Sequence, residues 1–126
     1  MNFPDDLKYT EDHVWVKPEA GQLIIGITFF AQLELGEIAY VEVKTIGKHL
    51  QKGQVFGTVE AVKTVSDMPL PVSGIVKEIN PMLQNDPGLI NKDPYETGWI
   101  IRLTPDEPRN IEGLLTADAY EKLVNG

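Results

Sequence analysis

Cysteine is absent from the 126 residues, which excludes disulfides, thiol nucleophiles and thiolate metal sites. Basic charge is scarce: 11 Lys and Arg face 19 Asp and Glu, for a net charge of -8 and a pI near 4.6. The two arginines are Arg102 and Arg109. Without clustered cations, neither nucleic acid nor an anionic membrane surface is an expected partner. Long apolar runs are missing too, since none approaches the ~20 residues of a membrane span. The start, Met1-Asn2-Phe3-Pro4-Asp5-Asp6, lacks the basic and apolar regions of a signal peptide. These absences predict a soluble monomer in the cytoplasm, or in the mitochondrial matrix if the chain is processed from a eukaryotic precursor.

Catalytic signatures are equally sparse. No Gly-x-Ser-x-Gly elbow, Walker A sequence or dinucleotide fingerprint occurs. Ser66 and Ser73 have no evident base partner. His13 and His49 are too far apart in sequence to make a metal signature. Asp5-Asp6, Glu11-Asp12 and Asp106-Glu107 read as solvated acid pairs. Neither a catalytic residue nor a metal site is therefore expected.

What remains is a succession of short apolar runs broken by glycine and proline, the pattern of many short strands. Val14–Val16 and Leu23–Ile27 flank a turn over Lys17–Gly21 as a first hairpin. Ile38–Val43, Gln54–Val59, Gly74–Ile79 and Gly98–Leu103 supply further strands. Gly47 and Gly53 bound a loop in which the chain can change sheets sharply, because glycine tolerates positive φ. Thr28 is positioned to cap a short helix ending at Gly36, with Phe29, Phe30 and Leu33 on one face. A polar segment from Asn80 to Pro94 has room for short helical turns. A C-terminal helix is expected over about 116–124, capped by Thr116 and closed by Gly126, with Leu115, Ala119 and Leu123 recurring every four residues beside Tyr120 and Val124. The expected architecture is mainly β: one domain over 1–126, its core about 13–104, with two small antiparallel sheets packed as a flattened barrel.

Lys63 stands out against this background. It lies within Glu60-Ala61-Val62-Lys63-Thr64-Val65-Ser66-Asp67, between the strand runs ending at Val59 and starting at Gly74. Glu60 and Asp67 bracket it with carboxylates, while Val59, Ala61, Val62 and Val65 offer apolar anchoring. A hairpin tip would present its amine on a rigid platform, open to an acylating enzyme, and the four-carbon stem adds reach. A solvated surface lysine is the alternative reading.

At Lys63 the resemblance to a family becomes specific. The segment Glu60–Asp67 resembles the lipoyl-attachment segment of the H-protein family of the glycine cleavage system. Similar motifs run in order along the chain: Leu7-Lys8-Tyr9, Gly26-Ile27-Thr28, Leu35-Gly36-Glu37-Ile38, Pro71-Val72-Ser73-Gly74, Leu89-Ile90-Asn91, Asp93-Pro94-Tyr95 and Gly98-Trp99. A lysine between two small strands would by itself also fit biotinyl and dehydrogenase-type lipoyl domains.

The resemblance implies a lipoyl-type barrel-sandwich hybrid of two small antiparallel sheets, with short peripheral helices and a C-terminal helix. It implies lipoate in amide linkage to Lys63 and a non-catalytic shuttle. That shuttle takes an aminomethyl group from the PLP-dependent glycine decarboxylase and presents it to the tetrahydrofolate-dependent aminomethyltransferase. Dihydrolipoyl dehydrogenase reoxidises it. A lipoate ligase, or a lipoyl/octanoyltransferase, loads it. Presentation and arm-binding candidates are Glu60, Asp67, Glu11, Asp12 and His13. The chain departs from the family pattern at Val14, where a glutamate is usual between the histidine and the tryptophan, and at Phe29-Phe30, usually a more polar pair. Those departures keep two other readings open: a lipoate-relay or specialised lipoyl carrier outside glycine cleavage, and an unmodified adaptor domain.

Overall fold

The computed structural model describes residues 3–125. Gly126, read as the stop of the last helix, lies outside the described residues, as do Met1 and Asn2. The chain opens with antiparallel strands β1 (Lys8–Tyr9), β2 (Val14–Glu19) and β3 (Gln22–Ile27). The β2–β3 turn is narrower than expected, only Ala20-Gly21, with φ of 51° and 82°. Positive φ at both central residues matches the twist of a two-residue hairpin. Pro18 is consequently inside β2, opposite Leu23. It lies beyond Val16, the last residue that β2 pairs with β1, so its missing N–H interrupts no ladder on that side.

Helix α1 (Phe29–Leu35) follows as the sequence predicts. Thr28 Oγ1 accepts the Ala31 N–H at 3.2 Å, and the Gly36 N–H closes the other end on the Gln32 carbonyl. Its buried face differs from the expected one. Leu33 is 57% exposed, whereas Ala31 and Leu35 pack on the core. Gln32 is buried because its amide is occupied: Nε2 donates to the Phe29 carbonyl and Oε1 accepts from Asn91 Nδ2.

The remaining elements are β4 (Ile38–Glu42), β5 (His49–Leu50), β6 (Val55–Ala61), β7 (Val65–Pro69), β8 (Gly74–Ile79), α2 (Leu89–Lys92), β9 (Ile101–Pro105) and α3 (Ala117–Asn125). Short 3-10 helices occupy Pro81–Gln84 and Pro108–Gly113. The sheets are antiparallel: a six-stranded one in the order β1-β2-β3-β9-β8-β5, and a three-stranded one in the order β4-β6-β7.

The expected barrel is not formed. Each sheet is a linear series with two free ends; β1 does not pair with β5, nor β4 with β7. The expected mainly β pair of small antiparallel sheets with peripheral helices is present, but among the described residues both sheets are open. The expected change of sheet does occur. β4 and β6 belong to the smaller sheet while β5, between them, pairs with β8 in the larger. Gly47 and Gly53, with φ of 84° and 91°, make the two corners.

Alternation along β2 and β3 covers the larger sheet on both faces. Val14, Val16 and Ile25 point into the core between the sheets, with Phe56, Val59 and Met68 from the smaller one. Trp15 and Ile24 point the opposite way, against Phe3, Tyr9 and Tyr120. Helix α3 therefore seals the outer face. Thr116 caps it through the Ala119 N–H at 3.2 Å. Its packed stripe is Ala117, Tyr120 and Val124, with Leu115 just before it; of the expected face only Leu123 turns outward, at 45% exposure. Tyr120, fully buried and stacked on Tyr9 with centroids 4.9 Å apart, fixes the rotation of α3, and Leu123 is left at the margin.

Candidate functional site

β6 and β7 form the hairpin that carries Lys63. Their pairing runs out to Glu60 opposite Val65. Beyond it the Ala61 N–H donates to the Thr64 carbonyl at 2.8 Å, leaving Val62 and Lys63 as the turn. The turn is braced from the side as well: the Val62 N–H donates to the Glu37 carbonyl, just before β4, at 3.1 Å. Lys63 is exposed at this fixed tip.

Beside the hairpin lies a cleft of about 370 Å³. Val14 and Ile27 of the larger sheet, Val59 and Met68 of the smaller, and Ala31 and Leu35 of α1 make its walls apolar. Its polar border consists of Asp12, His13, Glu34, Ser66 and Asp67. Asp67 is four residues beyond Lys63, across the end of the turn and the start of β7, so the two lie at most about 13 Å apart at ~3.3 Å per extended residue. That span is within reach of an extended lysine bearing an octanoyl-length chain.

His13 shapes the near wall. Its φ is 68°, in the left-handed region. The segment Thr10–His13 is a turn, closed by the His13 N–H on the Thr10 carbonyl at 3.1 Å. Thr10 Oγ1 also accepts the N–H groups of Asp12 and Val14. Strand alternation, which would send neighbouring residues to opposite faces, does not operate there. Asp12, His13 and Val14 all border the cleft in consequence.

The imidazole is held in a hydrogen-bond chain. His13 Nδ1 lies 2.8 Å from Tyr120 Oη, and Tyr120 Oη lies 2.7 Å from Thr28 Oγ1. A neutral ring protonated on Nε2 lets the Thr28 hydroxyl donate to Tyr120 and the Tyr120 hydroxyl donate to His13. Burial pushes the His13 pKa below its ordinary value, while Asp12 and Glu34 pull it the other way. Burial pushes Tyr120 up to about 12. Both groups are therefore uncharged near neutrality, and the carboxylates supply the charge of the cleft.

The candidate residues sort into three places. Asp12, His13 and Asp67 border the cleft. Asp67 does so from its rim, since it pairs with Thr58 on the outward-facing set of β7, whereas Ser66 pairs with Val59 on the inward set. Glu11 borders a neighbouring depression of about 300 Å³ that Asp12 shares. Glu60 is on the far side of the smaller sheet, in an exposed cross-strand row with Tyr40 and Val65. It can meet a partner arriving at the hairpin but not the contents of the cleft. His49 is remote from all of this, paired with Asp106 at 2.7 Å.

Glu34, Ser66 and the Tyr120–Thr28 relay were missed by sequence reasoning. Glu34 had a usable signal, because it lies four residues after Phe30 and so on the same face of α1. Tyr120 had none, being 107 positions from His13. Among the described residues no group of three or more His, Asp or Glu side chains is arranged to hold a metal. Nor, among them, is any helix long and apolar enough to cross a membrane. An apolar cleft with an acidic border, next to a presented lysine, suits a flexible aliphatic arm with a cationic end.

Comparison with known proteins gives a consistent result. Residues 7–126 match the family model described as glycine cleavage H-protein. The chain is 47% identical over 126 residues to the glycine cleavage system H protein of Bacteroides thetaiotaomicron, covering the whole of both chains. It is 51% identical over 122 residues to that of Listeria innocua, covering 97% of this chain and 98% of the other. The crystal structure of a glycine cleavage system H protein from Mycobacterium marinum superposes with a TM-score of 0.88 at 35% identity. That match covers 98% of this chain and all of the other.

Proposed function

The chain belongs to the glycine cleavage H-protein family, and from that premise we propose that Lys63 is the residue through which it carries lipoate, in amide linkage. The protein is the lipoyl-carrying shuttle of the glycine cleavage system and has no catalytic chemistry of its own. It accepts the aminomethyl group and is reoxidised after delivering it. The single observation that supports Lys63 is its exposure at a two-residue turn braced by Ala61–Thr64 and Val62–Glu37. An acylating enzyme needs an unobstructed amine in a defined place, and this turn provides one.

The residues present fit the group. When bound, lipoate supplies a reducible disulfide whose sulfur takes up the aminomethyl carbon. The chain's own part is to bind and shield. Ile27, Val59 and Met68 offer apolar surface to the aliphatic portion of the arm, and Val14, buried at the cleft wall, keeps water from that side. Asp12, Glu34 and Asp67 border the cleft and supply the acids that a cationic terminus would meet. Glu60, with Tyr40 and Val65 in the row behind the tip, is a presentation residue, contacting enzymes that approach Lys63.

Family membership carries with it the partners of glycine cleavage. In finer terms, the partners proposed for this chain are a PLP-dependent glycine decarboxylase, a tetrahydrofolate-dependent aminomethyltransferase, dihydrolipoyl dehydrogenase and a lipoate ligase or lipoyl/octanoyltransferase. The test is co-expression with a lipoate ligase and lipoate, followed by peptide mass mapping. A lipoyl adduct on Lys63 alone is expected, with Lys63→Arg folded but unmodified. An adduct on another lysine, with Lys63 free, would refute the assignment.

A further inference from the structure

One side chain outside the β6–β7 hairpin determines how its tip is held. Asn91 Oδ1 accepts the Ile38 N–H at 2.9 Å. Asn91 Nδ2 donates to the Gly36 carbonyl at 2.8 Å and to Gln32 Oε1 at 2.9 Å. The backbone groups that flank Glu37 therefore go to Asn91, while the Glu37 carbonyl itself accepts the Val62 N–H beside Lys63 at 3.1 Å. That division is the alternation of an extended chain paired along both edges. β4 ends the smaller sheet, and at its first residue the Asn91 amide stands where a further strand would pair. Gly36 has a φ of 82°, a conformation that leaves the chain free to swing there, so the direction of Glu37 depends on Asn91.

Asn91 has a firm seat. Its helix, α2, is a single turn and gains little from its own hydrogen bonds. Ile90, however, is fully buried in the core. Gly98 also approaches so closely that a Cβ there would lie 2.6 Å from the Leu89 carbonyl oxygen and 2.7 Å from that of Asp93. A continuous series of contacts thus runs from the core through α2, Asn91 and Glu37 to the backbone next to Lys63.

Resting on the reading of Lys63 as the lipoyl site, we propose that Asn91 is a positioning residue for its acylation, holding the Val62–Lys63 turn in the conformation that a lipoylating enzyme engages. In that reaction the Lys63 nitrogen forms the amide bond as the acyl–phosphate bond of a lipoyl adenylate, made from lipoate and ATP, breaks. AMP leaves with the bonding electrons and the nitrogen sheds a proton. The enzyme must take in the lysine together with the turn that bears it. A turn released by loss of Asn91 binds less well in proportion to its competent fraction, whereas the step after binding is unchanged.

The test uses full-length unlipoylated protein with a lipoate ligase, lipoate and ATP, and follows initial rates by intact mass over a range of carrier concentrations. Asn91→Ala should raise the KM for the carrier roughly three- to tenfold and leave kcat within about twofold, as a fall in the competent fraction requires. Asn91→Asp keeps the acceptor for Ile38 and loses the donor to Gly36, so its KM should lie between. It carries the test if the alanine variant does not fold. Asn91→Ala also strands Gln32 Oε1 and lowers stability, so a control is needed. Val76 is fully buried in the larger sheet, opposite Leu103. Val76→Ala should melt earlier and keep the native KM. In a second readout, the Val62 amide should exchange its hydrogen faster in Asn91→Ala, while amides in the middle of β6 keep their native rates. A native KM in the Asn91 variants, a KM raised equally by Val76→Ala, or an unchanged Val62 amide would overturn the role of Asn91. A native protein that gains no lipoyl mass, or gains it on another lysine, would overturn the reading of Lys63 itself, and peptide mapping separates that outcome from the others.

Discussion

His13 Nδ1 and Tyr120 Oη are 2.8 Å apart although 107 positions separate them in the chain. This contact ties the wall of the cleft to the C-terminal helix. Tyr120 is fully buried, its ring is stacked on Tyr9 with centroids 4.9 Å apart, and its hydroxyl also meets Thr28, the cap of α1. One phenol thus joins the N-terminal turn, the helix that carries Glu34 and the end of the chain.

Removing that hydroxyl tests the tie. Tyr120→Phe keeps the stacking and leaves His13 Nδ1 without its protein partner. The expected loss is about 1–2 kcal/mol, the range for a buried hydrogen bond whose partner is left behind. Thermal unfolding measures it. A melting temperature equal to that of the native protein would show that the relay contributes nothing to stability.

Stability should fall at both ends of the pH scale for separate reasons. Burial depresses the folded-state pKa of His13 below 6.5, with Asp12 and Glu34 opposing. Its contribution is therefore present above pH 6.5 and lost as pH falls through the lower folded value. Tyr120 is raised from 10 to about 12 by burial, so its contribution is present below pH 10 and lost as pH rises towards 12. Melting temperature against pH reports both limbs. His13→Asn, which tolerates the positive φ, should flatten the acid limb below pH 6.5 and leave the alkaline limb in place. An acid limb unchanged by this substitution would remove His13 as its cause.

Val14→Glu tests whether the apolar wall is needed. Val14 is 1% exposed and belongs to the core between the sheets, yet it also borders the cleft. A glutamate there gives up buried apolar area and adds a carboxylate near Asp12 and Glu34. A destabilisation of about 1–3 kcal/mol is expected, the scale for burying a polar group incompletely satisfied. Denaturant unfolding decides the matter. Unchanged stability would mean that the side chain escapes into the cleft freely, and that the wall tolerates charge.

Legibility from sequence followed the range of the interactions. The strands Ile38–Glu42 and Gly74–Ile79 could be read because alternation and turn residues are local. So could the Thr28 cap and the Gly36 stop. The face of α1 departs from the local pattern, and that of α3 does so at Leu123, because burial there is decided by distant partners: Gln32 by Asn91, and Tyr120 by Tyr9 and Thr28. The open sheets were misread as a closed barrel because closure depends on which strand ends meet, and alternation carries no record of that. In the cleft, Asp12 and Val14 share a border only because His13 takes a left-handed backbone. A histidine in a run of ordinary residues does not announce that conformation. Lys63 does lie at a hairpin tip, but its second strand is Val65–Pro69, whose Ser, Asp and Pro carry little apolar signal, and not the expected run Gly74–Ile79, which belongs to the larger sheet.

The bond from the Val62 N–H to the Glu37 carbonyl has a kinetic consequence. It ties the backbone beside Lys63 to the residue preceding β4, so the mobility of the lysine side chain comes from rotation about its own single bonds. Such rotations take picoseconds to nanoseconds, whereas loop rearrangements extend to microseconds.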